Sequence, residues 1–217
     1  MSPLRQDQND FLRTRAGRPA VIVVDVQRDF ADPERLREYG LTDAAFTALA
    51  AAVQRIGDLV EAARTADVPV FWVELGSDPG QPWRSSRWLR SGDVAPVEGE
   101  PCVVGTDGAD WFGVAPAAGE QRVVKKGYSG FFGTDLAERL RADGIGWVSV
   151  CGVTTECCVA ATAQDAMQAD WPVVVPADAT AAYETPLQEA ALTALALNVA
   201  LVASVDEVVA LWTRGDQ

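Results

Sequence analysis

The stretch VCGVTTECCVAATAQDA, residues 150–166, holds three of the four cysteines of the chain, two of them adjacent, Cys157 and Cys158. It reads as a strand end, a turn and a helix start. A thiol in the first turn of a helix feels the partial positive charge of that end, which lowers its pKa. Backbone N–H groups there lack intrahelical partners and can hold a developing oxyanion. Nucleophilic attack on a carbonyl is the chemistry these residues could do. Each cysteine is equally readable as a small buried residue, since free cysteine is commonly buried. The chain has no histidine. That absence removes Ser-His-Asp and Cys-His catalysis, and every His-based metal site, in one step.

A base and its support must therefore come from other residue types. Asp25 closes the apolar run PAVIVVD, and Lys125 and Lys126 close a second run, RVVKK. Along a strand, neighbours face opposite ways, so one lysine can point inward while the other meets water. An inward ammonium needs a carboxylate partner, and Asp25 is the candidate. A carboxylate ending so apolar a strand is partly buried and needs hydrogen bonds or a cation.

The elements around these residues are legible in outline. PAVIVVDVQRDF (19–30) is the unbroken Val/Ile pattern of a strand buried on both faces. Phe46, Leu49, Val53, Ile56 and Val60 recur at helical spacing, predicting a helix over about 43–66. Strands are expected near 69–74, 121–125, 147–151, 172–176 and 200–203, and helices near 155–169, 184–197 and 205–213. Another helix follows strand 121–125; Asp135 and Glu138 resemble a capping box there, with Gly144 at its end. Strands alternating with helices imply an α/β fold, a parallel sheet of six strands with helices on both faces. Sites in such sheets form outside the carboxyl ends of the strands, at the switch in strand order. Asp25, the two lysines and the GVTTECC turn all reach that edge.

At 217 residues the chain reads as a polar arm (1–18) and one domain (19–217), with a long irregular insertion over about 76–118. That insertion carries Trp83, Trp88 and Trp111, readable as lid, interface or ordinary packing. Arg84, Arg87 and Arg90 interleave with Trp88, and could hold a substrate carboxylate or lie solvated. The net charge of −13 argues against nucleic acid and against an anionic membrane surface. No apolar run approaches the roughly 20 residues that span a bilayer, the start has no stretch of signal-peptide type, and crowded cysteines are no disulfide framework. A cytoplasmic protein with a small-molecule substrate is expected.

VIVVDVQRDF, VVKKGYSGFFGTDL and CGVTTECCVAATAQDA resemble, in order and spacing, the three signature blocks of the isochorismatase-like cysteine hydrolases. The resemblance covers roughly residues 19–205. It implies a three-layer Rossmann-like α/β/α fold with an Asp-Lys-Cys triad on Asp25, Lys125 and Cys158. Lys126 falls on a variable position and Cys157 beside the nucleophile. It also implies a cis peptide between Val153 and Thr154, with the backbone N–H groups of Thr154 and Cys158 as an oxyanion hole, and a homo-oligomer, dimer or tetramer.

Phe30, Tyr128 and Phe131 are placed to wall a small pocket, or else to pack in the core. The nicotinamidase branch of the superfamily holds a metal through an Asp and histidines after the second strand. Here that segment reads VELGSDPGQPWRSS, so neither metal nor cofactor is expected. The resemblance then points to the branch that cleaves a C–N bond of small linear amide, carbamoyl or ureido compounds through a thioester. Two alternatives are a vinyl-ether hydrolase of isochorismatase type, which uses an acid without a thiol, and a non-catalytic assembly domain. Retention of Cys158 speaks against the first, and of all three reactive types against the second.

Overall fold

The computed structural model describes residues 3–91 and 100–212. Helix α1 (Pro3–Thr14) precedes strand β1 (Arg18–Val24). Ala20 to Val24 have no exposed surface, and their alternation explains the unbroken apolar run. Val21 and Val23 enter one core, Ala20, Ile22 and Val24 the other. Two short helices, α2 (Arg28–Ala31) and α3 (Pro33–Leu36), lead to α4 (Asp43–Thr65). Thr42 Oγ1 caps α4 by accepting from Ala45 N–H at 3.2 Å. The face carrying Val53, Ile56, Leu59 and Val60 packs on the first core.

Strand β2 (Val70–Leu75), helix α5 (Arg84–Ser91), strand β3 (Gln121–Lys125) and helix α6 (Leu136–Ala142) follow. The chain then returns through β4 (Ile145–Val153), α7 (Ala160–Gln168), β5 (Val173–Pro176), β6 (Thr180–Ala181), α8 (Thr185–Asn198), β7 (Leu201–Ala203) and α9 (Val205–Trp212). The sheet runs β3-β2-β1-β4-β5-β7, with every pairing parallel. The two-residue β6 adds to the end of β4, extending the expected six strands to seven. Strand order reverses between β1 and β4, so their carboxyl ends flank a crevice.

Three local readings are altered. The polar arm is largely α1: Leu12 is buried in the first core, and Arg5 donates to the Val202 carbonyl at 2.9 Å. Its partners lie almost 200 residues away, beyond any local pattern. Asp135 sits at the N-cap of α6 but makes no cap bond. Its φ −98°, ψ 17° is not the extended conformation a cap requires, and its carboxylate meets Arg139 at 2.8 Å instead. The 76–118 segment holds α5 and a 3₁₀ turn at Asp107–Ala109, and its residues 92–99 lie outside the described ones. No helix among the described residues is long and apolar enough to cross a membrane.

Gly152, in β4 opposite Val24, has φ +123°, and a Cβ there would overlap the Val24 backbone. Gly152→Ala is expected to cost about 3 kcal/mol from overpacking and backbone strain, read as a lower urea midpoint. An unchanged midpoint would mean that β1 and β4 can separate freely.

Candidate active site

Asp25 is the residue after β1. Its N–H continues the ladder to the Val73 carbonyl at 2.8 Å, but its φ is +53°, the left-handed region that non-glycine residues rarely use. Its side chain is fully buried. In β3, Val123 and Lys125 are buried while Arg122 and Val124 are exposed, so alternation turns Lys125 inward and Lys126 outward. Lys125 Nζ lies 2.7 Å from Asp25 Oδ2, with neither side chain exposed. It also donates to the Gly127 carbonyl at 2.8 Å and lies 3.6 Å from Cys158 Sγ.

Cys158 comes from the opposite side of the crevice. Strand β4 ends at Val153, the Val153–Thr154 peptide is cis, and Thr155–Val159 forms a π-helical turn that runs into α7. The Thr154 carbonyl accepts from the N–H groups of Cys157 and Val159, both at 3.2 Å. The loop after β3 is clamped to α7 by Gly130 N–H donating to Thr162 Oγ1 at 3.0 Å. The three reactive side chains thus converge from β1, β3 and the turn after β4.

Burial pushes the Asp25 carboxyl above its ordinary value, against the pull of Lys125 and Cys158. Asp25 is a stronger proton acceptor than an exposed aspartate. For Lys125, burial favours the neutral amine, but Asp25 and Cys158 outweigh it, and the ammonium is held more firmly than usual. The Cys158 thiol is raised, by its hydrogen bond to Cys157, by burial and by Asp25. It therefore rests protonated and needs a base to become a nucleophile. Cys157 is lowered, chiefly through that same hydrogen bond from Cys158. Cys102 and Cys151 are buried free thiols, and burial raises both.

A cavity of about 260 Å³ opens above these groups, with Lys125 and Cys158 in its wall. Phe30 and Tyr128 line it, but Phe131 does not. Partly buried, it packs against the second core, its ring centroid 5.8 Å from that of Trp171. Trp83 lines the cavity, edge-on to Tyr128 at 4.8 Å. Trp111 packs against Trp72, and Trp88 is 75% exposed. Arg84 is exposed and does not line the cavity; the side chains of Arg87 and Arg90 lie outside the described ones.

Sequence reasoning missed Gln81, Glu156 and Tyr183, all in the cavity wall. Tyr183 donates to the Phe30 carbonyl at 2.9 Å and fixes that wall. No periodic or spacing signal marks these residues; distant segments fold over to supply two of them. Among the described residues, no group of three His, Cys, Asp or Glu side chains is arranged to hold a metal ion.

The chain matches the family described as the Isochorismatase domain over residues 19–207. It is 34% identical over 174 residues to the ureidoacrylate amidohydrolase RutB of Azorhizobium caulinodans, covering 74% of this chain and 75% of that one. Identity to the RutB protein of Stutzerimonas stutzeri is 32% over 211 residues, covering 90% and 83%. Among solved structures it is similar to N-carbamoylsarcosine amidase from Thermoplasma acidophilum, with a TM-score of 0.67, 28% identity, and coverage of 87% and 97%.

Proposed function

Because this chain belongs to the isochorismatase family, as a hydrolase of non-peptide C–N bonds, we propose that it opens a small linear amide, carbamoyl or ureido compound through a thioester on Cys158. The observation that carries this reading is the buried Asp25–Lys125 ion pair, 2.7 Å across, beside the Cys158 sulfur in the cavity wall. Isolating an ion pair from water is costly unless it is used or fully satisfied. Here it adjoins a thiol that needs a base.

Asp25 takes the Cys158 proton as the sulfur attacks the substrate carbonyl carbon. The oxyanion is received by the N–H groups of Thr154 and Cys158. Asp25 then gives its proton to the leaving nitrogen, the C–N bond breaks, and ammonia or an amine departs. A water, deprotonated by the same carboxylate, attacks the thioester carbonyl and the thiol is regenerated. Lys125 keeps Asp25 ionised between steps and adds positive potential beside the sulfur. Since Asp25 must be ionised to start the cycle, turnover falls as pH drops through its raised pKa.

The test is ammonia release from a panel of small amides, carbamoyl compounds and ureido compounds. Turnover of at least one ureido or carbamoyl compound is expected, and it should survive prolonged dialysis against EDTA. No release from any ureido or carbamoyl compound would overturn the substrate class. Loss on chelation that a divalent metal restores would overturn the metal-free chemistry.

A further inference from the structure

We propose that Gln188, on α8, is a positioning residue for the nucleophile: through the Thr155 hydroxyl it sets where the turn after β4 holds the Cys158 sulfur. The inference rests on the reading of Cys158 as the reacting thiol. Neither Gln188 nor Thr155 lines the cavity, so both act through the turn.

Most of the bonds of the turn Thr155–Val159 are its own. The Thr154 carbonyl accepts from the Cys157 and Val159 N–H groups, the Thr155 and Cys157 carbonyls accept from that of Ala160, and Glu156 Oε1 accepts from the Thr154 hydroxyl. Such bonds fix the shape of the turn and leave its placement open. Placement needs contacts outside it. Val159 supplies an apolar one, buried in the second core. Thr155 supplies a directional one. It has no exposed surface, and its Oγ1 donates to Gln188 Oε1, 33 positions along the chain. A buried hydroxyl left without a partner is costly, so the bond resists being broken.

The direction of that bond is dictated from its far side. Gln188 Nε2 donates to the Thr180 carbonyl and to Thr180 Oγ1, both at 3.2 Å, and the Thr180 hydroxyl donates to the Ala177 carbonyl at 3.3 Å. A backbone carbonyl only accepts, so the amide turns its NH₂ to Thr180 and its oxygen to Thr155. The reverse orientation would set two acceptors against each other. Thr180 belongs to β6, which pairs with the end of β4 where the turn begins, Gly152 opposite Thr180. The bonds therefore run from β6 through α8 to the turn. Of the fourteen residues of α8, only Leu195 is buried. An apolar contact tolerates a small slide, whereas an amide bonded at both ends does not. Asp25 and Lys125 are held by β1 and β3, and the amide keeps the sulfur in register with them.

The test measures kcat and KM for ammonia release in Thr155→Val, Thr155→Ser and Gln188→Leu, with urea midpoints alongside. Valine keeps the shape of threonine without the hydroxyl, and serine keeps the hydroxyl. Thr155→Val and Gln188→Leu are each expected to lower kcat roughly tenfold, the scale of a sub-ångström misplacement, with KM held. Thr155→Ser should keep most of kcat. Joining Thr155→Val to Gln188→Leu should cost no more than the worse single variant, since both break one bond. Wild-type kcat in Thr155→Val, a loss confined to KM, a lower urea midpoint without a lower kcat, a serine variant as slow as the valine one, or additive losses would each overturn the proposal. Should Thr155→Val fail to fold, Gln188→Leu, at a half-buried position, gives the same readouts. If the wild type turns over nothing in the panel, the hydrolase reading fails by itself, and iodoacetamide labelling of Cys158 in a Cys157→Ala background decides instead. Labelling slowed in Thr155→Val and restored in Thr155→Ser supports the positioning role; equal rates overturn it.

Discussion

Cys158→Ala and Cys158→Ser are expected to abolish turnover, while Cys157→Ala keeps most of it. Two thiols stand side by side, and the electrostatics of the resting site do not favour the one proposed to react. Cys157 has the lowered pKa and Cys158 the raised one. Resting thiolate content is a poor guide where a base is built in. The Lys125 ammonium lies 3.6 Å from the Cys158 sulfur and 2.7 Å from Asp25, whose carboxylate acts electrostatically on the thiol. A proton leaving Cys158 has an acceptor in place, and the sulfur left behind has a cation beside it. Losing a nucleophile that acts as one unit with its base costs roughly 10³-fold or more in kcat. The Ser variant tests the same point, since its oxygen keeps the shape but is a far weaker nucleophile at this pKa. Turnover is read as ammonia release on a substrate from the panel, with circular dichroism to confirm folding. A dead Cys157→Ala beside an active Cys158→Ala would reverse the assignment.

Lys125→Met is expected to lower turnover by about 10²-fold or more, the scale of general-base catalysis. Methionine keeps the length of the stem and removes the charge. Asp25 then stands fully buried with no cation, and burial, already the largest influence on it, acts unopposed by Lys125. Its pKa rises further. Because the proposed mechanism uses Asp25 as the carboxylate, the acid limb of the pH–rate profile is expected to move to higher pH in the variant, and raising the pH to recover part of the rate. The variant also removes a charge from a buried pair, so thermal unfolding is measured alongside to separate folding from catalysis. A variant that folds, turns over normally and keeps the wild-type acid limb would make Lys125 structural.

Much of the fold was legible in the sequence because its signals are local. β1 reads as a two-faced buried strand from PAVIVV alone, and α4 from five apolar residues at helical spacing. The order of strands and helices requires nothing more than reading along the chain. α1 was not legible, because its buried Leu12 and its bond from Arg5 to Val202 answer to the far end of the chain. The helical cap at Asp135 was misread because backbone conformation, not residue type, decides whether a carboxylate can reach the N–H groups.

For the site, residue types and strand alternation determined by themselves that Asp25, one of two lysines and one of two cysteines stand at the same sheet edge. Without histidine, few other ways to activate a thiol remain. Tertiary structure alone decided the rest. It joined Lys125 to Asp25 across the end of β2, placed Lys126 in the cavity wall, and brought Tyr183 against Phe30 from 153 positions away. It also packed Phe131 against the second core, where spacing alone placed it equally well in the wall. The physical reason is range. Periodicity and propensity act over a few residues, whereas a cavity wall is the sum of side chains whose only common property is where the chain has carried them.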